Sequence, residues 1–217
     1  MDLGWLFNWP TIRFLLGGLG YTISLAAIAI AISFAIGMLL ALARLSRVAW
    51  LRWPATLYIE VMRALPLLLV IVYTYFALPR ALHTKLPPFA AGVIAMSAFT
   101  SSLVAEIIRA GILAVPRGIV EAAESQGFRG TAIMRMIVLP IALRNMMPAL
   151  VSQFVTLLKD TSLTAVITIP ELLARAQIVY AAPPFQPMPV YFLIAAMYFV
   201  VNYSLSQAGR RLETRGA

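Results

Sequence analysis

The sequence contains no cysteine and only one histidine, His83. The first absence excludes thiolate metal sites and leaves the redox compartment unreadable. The second excludes a haem or metal site built from paired histidines, and His83 reads as an exposed loop residue. Charge is also scarce, at 12% of 217 residues against about 25% in ordinary soluble domains. No G-x-x-x-x-G-K-[ST] loop is present, so the chain is not expected to hydrolyse ATP. With one histidine, no cysteine and scattered carboxylates, nothing supplies the nucleophile, base or metal cluster of an intramembrane enzyme.

The chain is instead rich in apolar residues: 62% are hydrophobic, and the mean hydropathy is +0.90. It reads as an all-α integral membrane protein, residues 1–217 forming one transmembrane domain. Seventeen basic against eight acidic residues leave a net charge of +9. No interleaving of aromatic and basic residues suggests a nucleic-acid surface. In a membrane chain a basic excess marks cytoplasmic loops.

Residues 1–13, MDLGWLFNWPTIR, have too little basic charge before the apolar run for a secretory signal. They read as an interfacial segment with Trp5, Phe7 and Trp9 at headgroup level. The first span lies within 14–45. Its uninterrupted apolar and small residues, 21–43, measure about 35 Å at about 1.5 Å per residue, enough for a hydrocarbon core of about 30 Å. It ends in Arg44, Arg47 and Arg52, which places that end inside and the amino terminus outside. The second span, 55–78, contains Glu60 and Arg63, an ionisable pair three apart that can neutralise itself. It also contains Pro66, expected to kink or restart the helix. The third, 89–113, carries Ser97, Thr100, Ser101 and Ser102 as a polar stripe, open to two readings: packing between helices or pathway lining. Glu106 and Arg109 follow one turn apart.

Residues 116–148, PRGIVEAAESQGFRGTAIMRMIVLPIALRNMMP, are neither apolar enough to span nor featureless. They read as a short helix, a glycine interruption, a second short helix and a proline-terminated corner. Ala122 and Ala123 keep one helix surface thin for a close approach by another protein, Glu121 is an anionic handle, and Gly127 frees the backbone from helical geometry. A fourth span, 141–158, runs into LLKDTSL at 157–163. Lys159 and Asp160 are expected in the outer half of the hydrocarbon or facing a cavity, where they either neutralise each other or serve a function. Gln153, Thr156 and Asp160 share one helical face. Residues 164–189 read as an external loop holding a short amphipathic helix over 171–180. A fifth span, 190–206, leads to Arg210, Arg211 and Arg215. Ten of the seventeen basic residues fall in the inner loops and tail, so five spans with the carboxyl terminus cytoplasmic satisfy the positive-inside bias.

The spacing of Glu121, Ala122, Ala123, Gly127, Ile137, Leu139 and Pro140, E-A-A-x3-G-x9-I-x-L-P, resembles the cytoplasmic loop of the membrane subunits of ATP-binding cassette (ABC) importers. EVMRALPLLLVIVYTYFALP at 60–79, AEIIRAG at 105–111 and LLKDTSL followed by Ile167, Pro170, Glu171 and Leu172 resemble the polar amino acid permeases of that class. Many members have Arg-Gly where this chain has Arg63 and Ala64. ALARLS at 41–46 and the run after Arg63 look closest to glutamate and aspartate permeases. The resemblance implies the type I ABC importer permease fold, with five transmembrane helices and a cytoplasmic coupling-helix loop at about 116–140. It also implies alternating access, a second permease subunit (identical or paralogous), two cytoplasmic ATPase subunits holding ATP and magnesium, an extracytoplasmic binding protein and a bacterial inner membrane. This chain would bind no cofactor. Candidates for the substrate pathway are Arg63, Ser101, Glu106, Arg109, Gln153, Thr156, Lys159, Asp160, Thr161 and Ser162. A channel or secondary carrier without an ATPase is the alternative, although the five spans show no convincing internal repeat.

Overall fold

A computed structural model describes residues 4–183 and 185–215, with side chains to Arg211. Met1 to Leu3 of the expected interfacial segment, Pro184 of the expected external loop and the side chain of Arg215 lie outside the described residues.

Helix α1 (Trp9–Leu45) begins five residues before the expected span, because Asn8 accepts the Thr11 N–H at 2.8 Å and Pro10 occupies the first turn. Both are helix-start devices. Trp5 is half-buried and Leu6 fully buried, while Phe7 and Trp9 are exposed. The expected second span is two helices, α2 (Ala49–Ala64) and α3 (Leu67–Ala81), bent by 105°. Pro66 restarts the chain there: it forces Leu65 into an extended conformation, φ −91° and ψ 143°, as a residue before proline prefers. Helix α4 (Pro88–Leu113) packs along α1. Small residues permit the close approach, and a Cβ at Gly37 of α1 would lie 2.7 Å from Val104 and 2.9 Å from the Ser101 carbonyl.

After α4 come α5 (Arg117–Ser125) and α6 (Gly130–Ile133), the latter running through a π-helical turn (Met134–Val138) into α7 (Leu139–Asp160) and a 3-10 segment (Thr161–Ile167). The expected corner at Pro140 is absent, since Gly130–Ile167 is one continuous rod of 38 residues. Pro140 sits in the first turn of α7 directly after the wide turn. There the ring's missing N–H and its need for space break no tight ladder.

The first part of the expected external loop, residues 164–181, folds into the bundle instead. Ile169, Glu171 and Leu172 have no exposed surface, and α8 (Leu172–Ala181) packs on α1 and on α9 (Pro187–Arg215). Helix α8 is apolar rather than amphipathic. Its start is buried because every polar group there has a partner. Glu171 accepts the N–H groups of Leu173 and Ala174 at 2.8 and 2.7 Å and the Tyr198 hydroxyl at 3.0 Å, and the Leu172 N–H donates to Thr22 at 3.2 Å.

Among the described residues, four helices are long and apolar enough to cross a membrane: Trp9–Leu45, Pro88–Leu113, Gly130–Ile167 and Pro187–Arg211. The bent α2–α3 pair, taken together as one broken span, makes five.

Candidate functional site

Glu106 of α4 lies among arginines from three helices. Arg109, one turn further on, donates Nε to Oε1 at 3.1 Å and Nη2 to Oε2 at 3.0 Å, a bidentate fork. Arg44, in the last turn of α1, donates one nitrogen to Glu106 and Nη2 to Glu60 at 2.9 Å. Arg63 of α2 approaches Glu106 at 3.6 Å, an ion pair too long for a hydrogen bond. The side chains of Arg44 and Glu106 are 17% and 19% exposed, those of Glu60 and Arg63 61% and 46%. Three guanidinium groups against two carboxylates leave an excess of one positive charge.

This arrangement corrects two expectations. Glu60 and Arg63 do not neutralise each other; each pairs across to another helix, because Arg44 and Glu106 offer shorter and less exposed partners. Arg44, read as one of several inner loop charges, is a member of the cluster. Local spacing held no sign of it, since 62 residues separate Arg44 from Glu106.

Two buried hydroxyls of α4 bond back to their own helix. Ser101 is fully buried and donates to the Ala98 carbonyl at 2.8 Å, and Tyr58 of α2 donates to the same carbonyl at 2.8 Å. Ser102 donates to Phe99 at 2.6 Å. On α7 and the 3-10 segment, Thr156, Thr161 and Ser162 donate to Ser152, Leu158 and Lys159 at 3.0, 2.7 and 2.9 Å. Lys159 and Thr156 are exposed, Gln153 and Asp160 half-buried. No ion pair joins Lys159 to Asp160. The α7 face and the Glu106 cluster are not linked to each other by any hydrogen bond or ion pair among the described residues.

Helix α5 hangs between α4 and the rod. It ends at Gly127, whose φ of +86° is a left-handed conformation suited to glycine. The Phe128 and Gln126 N–H groups close the end on the Ala123 carbonyl at 3.1 Å each. Glu121 and Ala122 are exposed, but Ala123 is only 5% exposed and belongs to a buried apolar cluster that includes Ile133 and Val138 of the rod. The thin surface expected of both alanines is thus divided: Ala122 faces outward and Ala123 faces the chain's own rod. Neighbouring helical residues lie about 100° apart, so one cannot share the other's environment. Ile137 is half-buried, while Leu139 and Pro140 are exposed along the rod.

Sequence reasoning named Glu171 only as part of a resemblance and as a helix start, and it passed over Arg175. The signal for Glu171 was present as Pro170-Glu171 ahead of an apolar run, a helix-start pattern. Arg175 gave none, because its partner Phe14 is 161 residues away.

Residues 33–215 match the model of the family described as binding-protein-dependent transport system inner membrane component. The chain is 43% identical over 217 residues to a probable glutamine ABC transporter permease of Bacillus subtilis, covering 99% of each. It is 33% identical to a glutamine transport system permease of Escherichia coli, covering 99% of this chain and 98% of the other. A crystal structure of an amino acid ABC transporter with histidines superposes with a TM-score of 0.90 at 33% identity, covering 99% of this chain and all of that one. The chain therefore belongs to the binding-protein-dependent transport system inner membrane components, as a multi-pass inner-membrane permease subunit of an ABC importer that works with a substrate-binding protein and leaves ATP hydrolysis to a partner ATPase.

Proposed function

We propose that this subunit imports glutamine by alternating access, with α5 as the element its ATPase moves. The carrying observation is the construction of α5. It presents Glu121 and Ala122 outward, seats Ala123 on the chain, and joins through Gly127 to a rod of 38 residues. A push on α5 is then delivered to a stiff helix that continues through the membrane. Glu121, Ala122, Gly127, Leu139 and Pro140 form the face offered to the ATPase, and Ala123 and Ile137 hold α5 to the rod.

Glutamine replaces the acidic substrates suggested by the first two spans, for two reasons. Two full-length relatives are named for glutamine. In addition, the Glu106 cluster already engages Arg44 and Arg109 internally, so it is a poor cationic wall for a second carboxylate on the substrate. Arg63, Gln153, Thr156, Lys159 and Asp160 retain accessible polar surface and line the pathway. The importer comprises this subunit paired with a second copy or a paralogue, two ATPase subunits carrying ATP and magnesium, and an extracytoplasmic binding protein. The amino terminus lies outside and the arginine-rich carboxyl terminus in the cytoplasm.

The test is uptake of labelled glutamine and glutamate in cells expressing the chain with its partner subunits, as wild type, Gly127→Pro and Gly130→Ala. Proline cannot adopt the φ of residue 127, whereas a Cβ at Gly130 meets nothing. Glutamine is expected to accumulate with the wild type and Gly130→Ala, and not with Gly127→Pro. Undiminished uptake by Gly127→Pro overturns the lever. Accumulation of glutamate in place of glutamine overturns the substrate alone.

A further inference from the structure

Helix α2 is held by few buried residues. Of its 16 residues only Ala55 and Ile59 are buried, whereas the shorter α3 buries Leu67, Val70, Ile71 and Thr74. The 105° bend between them means that when α3 runs along the bundle, α2 lies across it. The edge of α2 turned away from the chain is apolar. Trp50, Trp53, Leu57 and Val61 follow one another at steps of three and four, 88%, 72%, 51% and 44% exposed. Arg52 lies two residues from Trp50, about 200° around the helix, and Arg47 just precedes it. Both arginines are exposed, and neither has an ion-pair partner among the described residues. The start of α2 is also held near the bilayer surface, because only Ser46, Arg47 and Val48 separate it from the end of spanning helix α1.

We infer that the first half of α2 is an interfacial anchor, with Trp50 and Trp53 at headgroup depth and Arg47 and Arg52 binding the headgroups of anionic phospholipids. Water is a poor medium for two indole rings this exposed, and the hydrocarbon core is a poor one for two unpaired guanidinium groups one to six residues from them. The headgroup layer suits both, since amphipathic rings settle there and a helix with one apolar and one basic edge lies in its plane. Charge selects the lipid: unpaired arginines attract an anionic headgroup and gain little from a zwitterionic one. The inference is independent of the transported substrate and of the role of α5.

The experiment uses the full chain with Trp5→Phe and Trp9→Phe, so that Trp50 and Trp53 are its only indoles, reconstituted into phosphatidylcholine bilayers with and without phosphatidylglycerol. Tryptophan fluorescence is quenched by lipids brominated near the headgroup or deep in the acyl chain, and by aqueous iodide. The expected result is strongest quenching by shallow bromines. Brominated phosphatidylglycerol should quench several-fold more than brominated phosphatidylcholine at equal mole fraction, with near parity in Arg47→Gln/Arg52→Gln. Strongest quenching by deep bromines, or by iodide alone, overturns the placement. Protection from every quencher overturns it in favour of a cover by a second copy of the chain. Equal quenching by the two lipids with both arginines present overturns the headgroup assignment. Both arginines are exposed, so the double variant retains its fold, which near-ultraviolet circular dichroism verifies.

Discussion

Arg175 of α8 reaches α1, where its Nη1 donates to the Phe14 carbonyl at 2.7 Å and its guanidinium lies 4.8 Å from the centre of the Phe14 ring. The contact depends on missing side chains. A Cβ at Gly17 would collide with the guanidinium, and one at Gly18 would stand 3.0 Å from the Leu172 Cα and 3.1 Å from the Glu171 carbonyl. An arginine tip can swing aside, but backbone cannot.

Gly18→Leu is therefore expected to destabilise the chain by about 1–3 kcal/mol through overpacking. Gly20→Ala, where a Cβ meets nothing within 4 Å, is expected to be neutral or to stabilise by up to about 1 kcal/mol through helix propensity. Thermal unfolding of the two variants in detergent is the check, and an equal loss in both would contradict the packing described at Gly18.

Glu106 and Glu60 differ in what they hold. Glu106→Gln leaves Arg44 and Arg109 facing a neutral amide in a setting where the carboxylate is 19% exposed, and a loss on the order of 2–4 kcal/mol is expected. Glu60, 61% exposed, should cost below about 1 kcal/mol as Gln. Denaturation of both variants in the same detergent ranks them.

Ala122 and Ala123 separate the two faces of α5. Ala123→Leu forces bulk between α5 and Ile133 and Val138, so faster amide exchange across 117–128 is expected in the isolated chain. Ala122→Leu should leave that exchange unchanged and lower the yield of copurified ATPase, because its methyl group faces outward.

At the start of α8, Glu171→Ala removes the acceptor for two backbone N–H groups and for Tyr198. A loss of about 1–2 kcal/mol is expected from the lost cap alone, more than for Tyr198→Phe, which leaves both backbone bonds in place. Melting temperatures of the two variants test the order, and a larger fall for Tyr198→Phe would contradict it.

Local chemistry explains which features were legible in the sequence. Long apolar runs bounded by arginine announce spans because hydrocarbon offers the backbone no partner other than itself. Leu65-Pro66 and Gly127 announced breaks because their preferred φ and ψ are properties of one or two residues. The E-A-A spacing carried the family, since seven positions at fixed intervals rarely coincide. What remained hidden were relations between distant residues. The depth of the 105° bend, the gathering of Arg44 and Arg63 on Glu106 and the burial of Glu171 beside Tyr198 depended on partners tens of residues away, and the inward turn of Ala123 on neighbours beyond the glycine break.

By itself, then, the sequence determined that this chain is a membrane permease subunit with breaks at Pro66 and Gly127, because hydrophobicity, proline and glycine act on their own segments. Only the tertiary structure decided that Pro140 lies within an unbroken rod, that 164–181 is folded into the bundle and that Arg44 belongs to Glu106. A buried charge or an unpaired backbone group is stable only where neighbouring helices complete its hydrogen bonds.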